Sequence, residues 1–203
     1  ELAELDVADG ARLRERLEAF RPDLICHLAA QASVTVSVTN PDLDFASNVR
    51  GTFNVCQAAA ELPARVLFAS TGGALYGNEA PIPTPETHVA QPLSPYGASK
   101  LAGEAFVATQ ARSHGLAHAV LRLGNVYGPR QNAHGEAGVV AIFSDRLLNG
   151  EVPIVYGHGK PTRDYVHVAD VTRAFGVVDG VDEVAHRALL RRHRAVEVAA
   201  LIG

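Results

Sequence analysis

Short apolar runs alternate with stretches of helical periodicity along most of this chain, and this alternation limits its possible folds more than any other feature. Strands are predicted at residues 24–28, 65–69, 117–123 and 152–156, and helices at residues 42–62, 96–113, 139–148 and 166–175. Strands that alternate with helices build βαβ units around a parallel sheet. The sequence therefore predicts an α/β fold.

Composition and charge exclude several classes of protein. With 47% apolar and 20% charged residues among 203, the chain has the balance of a globular domain. Its formal net charge is -4, so the chain lacks the excess of basic residues that binding to nucleic acid or to an anionic membrane requires. No apolar run approaches the roughly 18 residues of a membrane span, and no signal-peptide pattern stands at the start. We therefore expect no nucleic-acid partner and no membrane partner.

The two cysteines, Cys26 and Cys56, both lie inside apolar stretches. Two thiols in a domain of this size do not make a disulfide scaffold, and unpaired cysteine is among the residue types most often buried. We expect buried thiols rather than a bridge, which fits a cytoplasmic protein.

Two long loops follow predicted strands, and they are where ligand contacts are expected. Residues 70–95 contain five prolines and a pair of adjacent glycines, so they cannot be regular structure throughout, and residues 124–138 form a second glycine-bearing loop. Long loops inside compact domains are usually functional. An open α/β sheet binds its ligands at the carboxyl ends of its strands.

The segment Tyr-Gly-Ala-Ser-Lys at residues 96–100 opens a predicted helix and is the sharpest local pattern. Residues four apart share a helix face, so the Tyr96 hydroxyl and the Lys100 ammonium can reach one ligand together. Because a nearby cation favours the phenolate, we expect Lys100 to lower the Tyr96 pKa from its ordinary value of about 10. Taken alone, such a pair is more often an ordinary exposed one.

Two hydroxyls, Ser70 and Thr71, stand at the predicted end of the second strand. The glycines that follow, Gly72 and Gly73, would let a ligand approach the backbone closely. A hydroxyl at this place could share a proton with Tyr96, although the four residues by themselves describe only a turn.

Six ordered segments together resemble the extended short-chain dehydrogenase/reductase family, and within it the nucleotide-sugar epimerases of the UDP-glucose 4-epimerase type. The resemblance covers about residues 5–175. The segments are His-Leu-Ala-Ala-Gln at 27–31, Asn-Val-Arg-Gly-Thr at 48–52, residues 70–77, Ser-Pro-Tyr-Gly-Ala-Ser-Lys at 94–100, Arg-Leu-Gly-Asn-Val-Tyr-Gly-Pro-Arg-Gln at 122–131 and Thr-Arg-Asp-Tyr-Val-His-Val at 162–168. The resemblance implies a Rossmann-like doubly wound parallel sheet with the start of a small C-terminal substrate lobe.

The resemblance also implies roles for individual residues. The catalytic triad would be Thr71, Tyr96 and Lys100, with NAD as cofactor and no metal. The cofactor would contact Asp6, Val7, Leu28, Ala29, Ala30, Asn48, Ser70, Tyr96 and Lys100. A nucleotide-sugar substrate, most simply a UDP-sugar, would contact Thr71, Asn125, Val139, Tyr156 and Arg163. The planar fork of an arginine such as Arg163 matches phosphate oxygens.

The implied reaction is inversion at C4 of the sugar. Tyr96 as phenolate would take the proton of the C4 hydroxyl while hydride passes to the nicotinamide, and Thr71 would hydrogen-bond the resulting keto oxygen. Return of the hydride to the opposite face of a turned keto sugar inverts C4 and regenerates NAD.

Three other functions stay open. A 4,6-dehydratase would need an acid and a base directly after the catalytic threonine, where this chain has Gly72 and Gly73. A decarboxylase acting on a substrate carboxylate is compatible with the sequence. A truncated, non-catalytic remnant is the third possibility, because the two ends of the chain depart from the pattern of the family.

At the first end, the glycine-rich turn that would hold the cofactor pyrophosphate, Gly-x-x-Gly-x-x-Gly, occurs nowhere in the chain, which also contains no methionine. We therefore expect a sheet that lacks its first βαβ unit, and weak NAD binding or none. The expected division is a partial NAD-binding domain with the catalytic residues at 1–135 and a partial substrate-binding region at 136–203.

At the other end, residues 181–194 diverge from the family, which would have a strand close to Val-Gly-Thr-Gly there. A compensated reading-frame slip or a basic surface insertion would each explain this, and residues 195–202 are predicted to be helical. The resemblance also implies a homodimer formed through a helix pair that includes residues 96–113.

Overall fold

The computed structural model describes residues 2–134, 138–178 and 195–198, with residues 178 and 195–198 described by their backbone. Helices are α1 (Gly10–Phe20), α2 (Val34–Thr39), α3 (Pro41–Asp44), α4 (Gly51–Glu61), α5 (Pro95–His114), α6 (Val139–Leu148) and α7 (Val168–Val178). A π-helical segment, Phe45–Arg50, joins α3 to α4, and Tyr156–Gly159 is a 3-10 turn. Strands are β1 (Leu24–His27), β2 (Arg65–Thr71), β3 (Ala119–Leu123), β4 (Asn125–Tyr127), β5 (Tyr165–His167) and β6 (Ala195–Val198).

The main sheet is parallel and has the order β3-β2-β1-β6. In it Leu24 is opposite Arg65, and Ser70 is opposite Arg122. The short strands β4 and β5 form a separate parallel pair. Because all strands of the main sheet run the same way, the loops after β1, β2 and β3 leave from one edge, the edge where ligands bind in open α/β sheets.

Apolar side chains cover both faces of the sheet. On one face Ile25 and Phe68 pack in a core with residues of α1, α4 and α5, among them Leu13, Val55 and Val107. On the other face Leu24 and Leu67 pack together, with Cys26, Ala119 and Phe175 against them. Successive residues of a strand point to opposite faces, which explains how β1 and β2 serve both cores. Cores on both faces confirm the expected doubly wound α/β fold.

Several predicted elements match. The predicted strand at 65–69 extends to Thr71, the helix at 96–113 is Pro95–His114, and the helix at 139–148 has the expected bounds. The predicted helix at 42–62 is interrupted by the π-helical segment. Both cysteines are thiols, Cys56 buried and Cys26 half-buried.

Other predicted elements were wrong. The strand at 152–156 does not form: Pro153 lacks a backbone donor, and Val152 and Val155 are exposed. The loop at 124–138 contains β4, and the helix expected at 166–175 begins only at Val168 because β5 pairs with β4 first.

Residues 195–202 were expected to be helical, but the backbone of Ala195–Val198 is a strand paired with β1. Hydrogen bonding along the open edge of β1 outweighs local helix preference here. Residues 181–194 and 199–202 lie outside the described part of the chain. No helix in the described part is both long enough and apolar enough to cross a membrane.

Candidate active site

Tyr96 and Thr71 meet where β2 ends and α5 begins. The α5 helix starts at Pro95, which has no N–H to leave unsatisfied, and the Ser94 hydroxyl accepts a hydrogen bond from the Gly97 N–H at 3.2 Å. This start places Tyr96 in the first turn, where its phenol forms a hydrogen bond with the Thr71 side chain. Two members of the predicted triad are therefore in contact.

Lys100, the third member, lies one turn further along α5 and is buried. Its Nζ donates to the Ala69 carbonyl at 2.9 Å and lies 4.8 Å from the centroid of the Phe68 ring. Burial lowers the Lys100 pKa to about 8, and the Asp44 carboxylate acts in the opposite direction. At neutral pH Lys100 is thus a buried cation close to the point of losing its proton.

A second ring, that of His27, packs against Phe68 in the same cluster. The imidazole of His27 stacks on Phe68 with ring centroids 5.4 Å apart, and its Nε2 is 2.9 Å from the Thr52 hydroxyl. Burial, together with the charge of Lys100, lowers the His27 pKa to about 3. His27 is therefore neutral and leaves Lys100 as the positive charge of this cluster.

The direction of the Tyr96 pKa differs from the sequence-based prediction. Burial raises the pKa of Tyr96, the hydrogen bond with Thr71 lowers it, and the Asp44 carboxylate raises it. Lys100 was expected to lower the pKa, but its ammonium is directed at the Ala69 carbonyl. At neutral pH Tyr96 is therefore a neutral phenol, able to donate a proton.

Asn48, predicted to lie near the cofactor, connects three parts of the site. Its amide and the backbone of Gln31 exchange two hydrogen bonds of 2.9 Å, which fixes the segment after β1. The same amide donates to Asp44 at 2.9 Å and to the Ser99 hydroxyl at 3.2 Å. Ser99 in turn donates to the Tyr96 carbonyl at 2.9 Å. Asn48 therefore ties the π-helical segment to the first turn of α5.

Ser70 takes part in a charged network. Its hydroxyl donates a hydrogen bond to Glu104 at 2.6 Å. Glu104 also forms an ion pair with the Arg122 guanidinium, with an Nη2–Oε2 distance of 2.7 Å. Arg122 Nη1 donates to the Tyr76 hydroxyl at 2.6 Å and to the Glu86 carbonyl at 3.1 Å. The Ser70 hydroxyl, expected at the cofactor, is therefore directed at a carboxylate of α5.

The remaining residues predicted at the cofactor differ in exposure. Leu28 is 40% exposed just after β1, and Ala30 is half-buried. The side chains of Val7 and Ala29 belong to the core, so only their backbone could meet a ligand. The exposed Asp6 accepts a hydrogen bond from the Ala8 N–H at 2.8 Å and shapes the turn before α1.

The residues predicted at the substrate lie on β4, α6 and the segment before β5. Asn125 Nδ2 donates to the Asp164 carbonyl at 3.1 Å, and Arg163 Nη1 donates to its neighbour Thr162. Val139 and Tyr156 are exposed, by 38% and 79%. The structure therefore brings Asn125 next to the backbone beside Arg163.

A groove of about 620 Å³ lies between the loop after β4 and α6, and the sequence analysis did not identify it. Its lining includes Tyr127, Arg130, Gln131, Val140 and Asp145. None of the triad residues lines it. Its signal in the sequence was the Gly-Pro-Arg-Gln segment at 128–131, which belongs to one of the six matching blocks.

A family model described as the NAD-dependent epimerase/dehydratase family matches residues 1–185. The chain belongs to this family. A UDP-glucose 4-epimerase from Mycolicibacterium smegmatis is 45% identical over 176 residues, which are 86% of this chain and 56% of the relative. The chain spans about half the length of the curated relatives that it matches.

Solved structures of the family agree with this membership. The structure of UDP-glucose 4-epimerase with UDP-glucose from Thermotoga maritima has a TM-score of 0.82 at 44% identity, covering 85% of this chain and 56% of that one. The Thermus thermophilus UDP-glucose 4-epimerase complex with NAD has a TM-score of 0.76, also at 44% identity, covering 85% and 58%.

Sequence reasoning missed the polar residues that surround the triad in this family member. Glu104 follows Tyr96 and Lys100 at successive intervals of four residues, so helical spacing could have placed it on the same face. Gln31 and Arg122 belong to two of the matching segments, but their spacing gave no sign of their partners, and Asp44 carried no signal, because these contacts join elements that are distant in the sequence.

Proposed function

We propose that this site performs NAD-dependent epimerisation at C4 of a nucleotide sugar of the UDP-glucose/UDP-galactose type. The observation that carries the proposal is the hydrogen bond between Tyr96 and Thr71, one helical turn from the buried cation Lys100. The two 44%-identical solved structures, one with UDP-glucose and one with NAD, support the choice of substrate and cofactor.

The donors around the triad fit the ribose end of a dinucleotide. A lysine ammonium has three donor positions, and Lys100 uses one for the Ala69 carbonyl. The Tyr96 hydroxyl stands one turn away on the same helix face, and the exposed Leu28 offers an apolar surface at the same edge of the sheet. Asn48 and the buried Ala29 act here by fixing the backbone after β1.

NAD, when bound, would supply the hydride-transfer chemistry at C4. Tyr96 exchanges a proton with the C4 oxygen, and its neutral state in the structure suits the step that protonates this oxygen. Thr71 holds the same oxygen by a hydrogen bond, and because Thr71 and Tyr96 already contact each other, one oxygen can meet both. The hydrogen bond with Thr71 favours the phenolate when the proton has to be taken up.

The substrate is proposed to lie across the second part of the chain. Residues 136–203 would supply the substrate-binding region, residues 1–135 would form the part that binds NAD, and Asn125, Val139, Tyr156 and Arg163 would contact the nucleotide diphosphate. The groove beside Arg130 provides further space for it. The protein is proposed to act as a cytoplasmic homodimer.

Dehydration across C4 to C6 is the alternative within the family. It needs an acid and a base after Thr71, and the two glycines found there have no proton to transfer. A side chain at Gly72 would begin 3.3 Å from the Arg122 carbonyl, which is closer than ordinary contact. The local backbone thus leaves little room for a side chain at Gly72.

The test supplies a panel of nucleotide sugars to the protein with millimolar NAD and follows the sugar configuration by proton NMR. We expect C4 inversion of a UDP-hexose and at least a hundredfold loss of rate in Tyr96→Phe. The matched control is Tyr165→Phe, which removes a hydroxyl from an exposed tyrosine that is outside the triad and outside the proposed substrate contacts. Inversion that persists in Tyr96→Phe, or a keto-deoxy product in place of the epimer, contradicts the proposal.

A further inference from the structure

The loop at residues 72–94 joins the two hydrogen-bonded residues of the site, because Thr71 ends β2 and Ser94 caps the helix that carries Tyr96. Such a long irregular segment has many alternative conformations unless contacts fix its middle. Two backbone hydrogen bonds hold the loop near its ends. The Gly72 N–H donates to the Leu123 carbonyl at 2.7 Å, and the Gln91 N–H donates to the Leu75 carbonyl at 2.9 Å.

One guanidinium holds the middle of this loop. Arg122 Nη1 donates to the Tyr76 hydroxyl at 2.6 Å and to the Glu86 carbonyl at 3.1 Å, so a single group contacts the loop at two places ten residues apart. The guanidinium also lies over the Tyr76 ring, 5.3 Å from its centroid. Arg122 belongs to β3, which gives the loop a rigid point of attachment.

The other side of the guanidinium is fixed by Glu104. Nε donates to both carboxylate oxygens, at 3.0 and 3.2 Å, and Nη2 donates to Oε2 at 2.7 Å. The Glu104 side chain is 11% exposed, and Oε1 also receives the Ser70 hydroxyl at 2.6 Å. This pair is therefore unlike a solvated surface ion pair, and its fork geometry needs an arginine.

We propose that Glu104 and Arg122 are positioning residues that hold the loop at 72–94, and through it the alignment of Thr71 with Tyr96. Ser70 links Glu104 directly to Thr71, because its hydroxyl is hydrogen-bonded to Glu104 and it precedes Thr71 in β2. Tyr76 is the contact through which the pair reaches the loop. The catalytic part of this inference rests on the proposed function, but the loop restraint does not.

The first test is amide hydrogen exchange of the full chain, read at Gly72 and Gln91. Tyr76→Phe removes one hydroxyl and leaves the Glu104–Arg122 pair intact, and Arg122→Lys keeps the charge but cannot make all the contacts at once. A hydrogen bond to a charged group changes an equilibrium by about tenfold to a hundredfold. We expect exchange at both amides to be at least tenfold faster in both variants.

The matched control is Glu61→Gln, which breaks the exposed ion pair between Arg14 and Glu61 at 2.9 Å, away from the loop. It should leave both amides at the wild-type rate. Equal exchange in wild type, Tyr76→Phe and Arg122→Lys overturns the proposal. If Arg122→Lys does not fold, Tyr76→Phe alone decides the outcome.

The second test separates positioning from general destabilisation. In Tyr76→Phe we expect kcat for C4 inversion to fall at least tenfold while KM stays within threefold, at a temperature where the variant is fully folded. An unchanged kcat overturns the positioning role. If the wild type inverts no nucleotide sugar, the proposed function fails, and the exchange rates still decide whether Arg122 holds the loop.

Discussion

Replacement of Gly97 by alanine tests how tightly the start of α5 is built against the loop before it. A Cβ at Gly97 would lie 2.3 Å from the Ala74 carbonyl oxygen and 2.9 Å from Pro92 Cβ. The first of these distances is about 1 Å inside ordinary contact, and the atom that must move belongs to the backbone. Overpacking of this kind costs about 1–3 kcal/mol.

An opposing effect has to be subtracted. Alanine favours a helix over glycine by about 1 kcal/mol in the interior, and by less in a first turn. Because the clash is with backbone, we take the upper part of the overpacking range and expect Gly97→Ala to lose about 1–2 kcal/mol of unfolding free energy. For a chain of this size that lowers Tm by about 2–8 °C.

Urea unfolding followed by circular dichroism measures this difference, and Gly73→Ala is its matched control. A Cβ at Gly73 would meet no atom within 4 Å, so Gly73→Ala should stay within about 0.5 kcal/mol of wild type. The steric reasoning is refuted if Gly97→Ala is as stable as wild type, or if the two variants lose the same free energy.

Two further predictions concern buried ionisable groups. Burial lowers the Lys100 pKa to about 8 from 10.5, so between these pH values the unfolded chain holds a proton that the folded chain has released. The unfolding free energy of wild type relative to Lys100→Met should therefore rise by about 3 kcal/mol from pH 8 to pH 10.5 and stay flat below pH 8. A pH-independent difference contradicts this. Burial raises the Cys56 pKa to about 12. In Cys26→Ser, which leaves Cys56 as the single thiol, we therefore expect a disulfide reagent at pH 8 to label Cys56 at least a hundredfold faster after unfolding in urea than before. Equal labelling rates contradict burial of the thiol.

Much of the fold could be predicted because its signals are local. The apolar strand before Leu28 and the helix that begins near Tyr96 are marked by composition, periodicity and a proline at the first turn. The strands β4 and β5 carried no such signal, since each has three residues and forms only by pairing with the other. Propensity cannot reveal an element that depends on a partner distant in the sequence.

In the site, too, local features could be predicted and features that depend on distant residues could not. Tyr96 and Lys100 could be predicted from a spacing of four residues on one helix, and the contact between Tyr96 and Thr71 followed from the strand end. The pKa of Tyr96 could not, because its direction depends on burial and on Asp44, which arrives from a different element. Electrostatic properties of buried groups need the three-dimensional arrangement of all their neighbours.

The π-helical segment at Phe45–Arg50 has a consequence for how this region can change. The Gly51 N–H donates to the Ala46 carbonyl, five residues earlier, whereas an α-helix bonds to the residue four earlier. The helix from Pro41 to Glu61 therefore contains one residue more than a regular helix of the same length. The part before Gly51 directs Asn48 toward Ser99, and the part after it directs Val55 into the core. Deleting one residue would restore regular winding but rotate the two parts by about 100° relative to each other. Because that rotation would remove either Asn48 or Val55 from its contacts, this stretch should not accept a change in length.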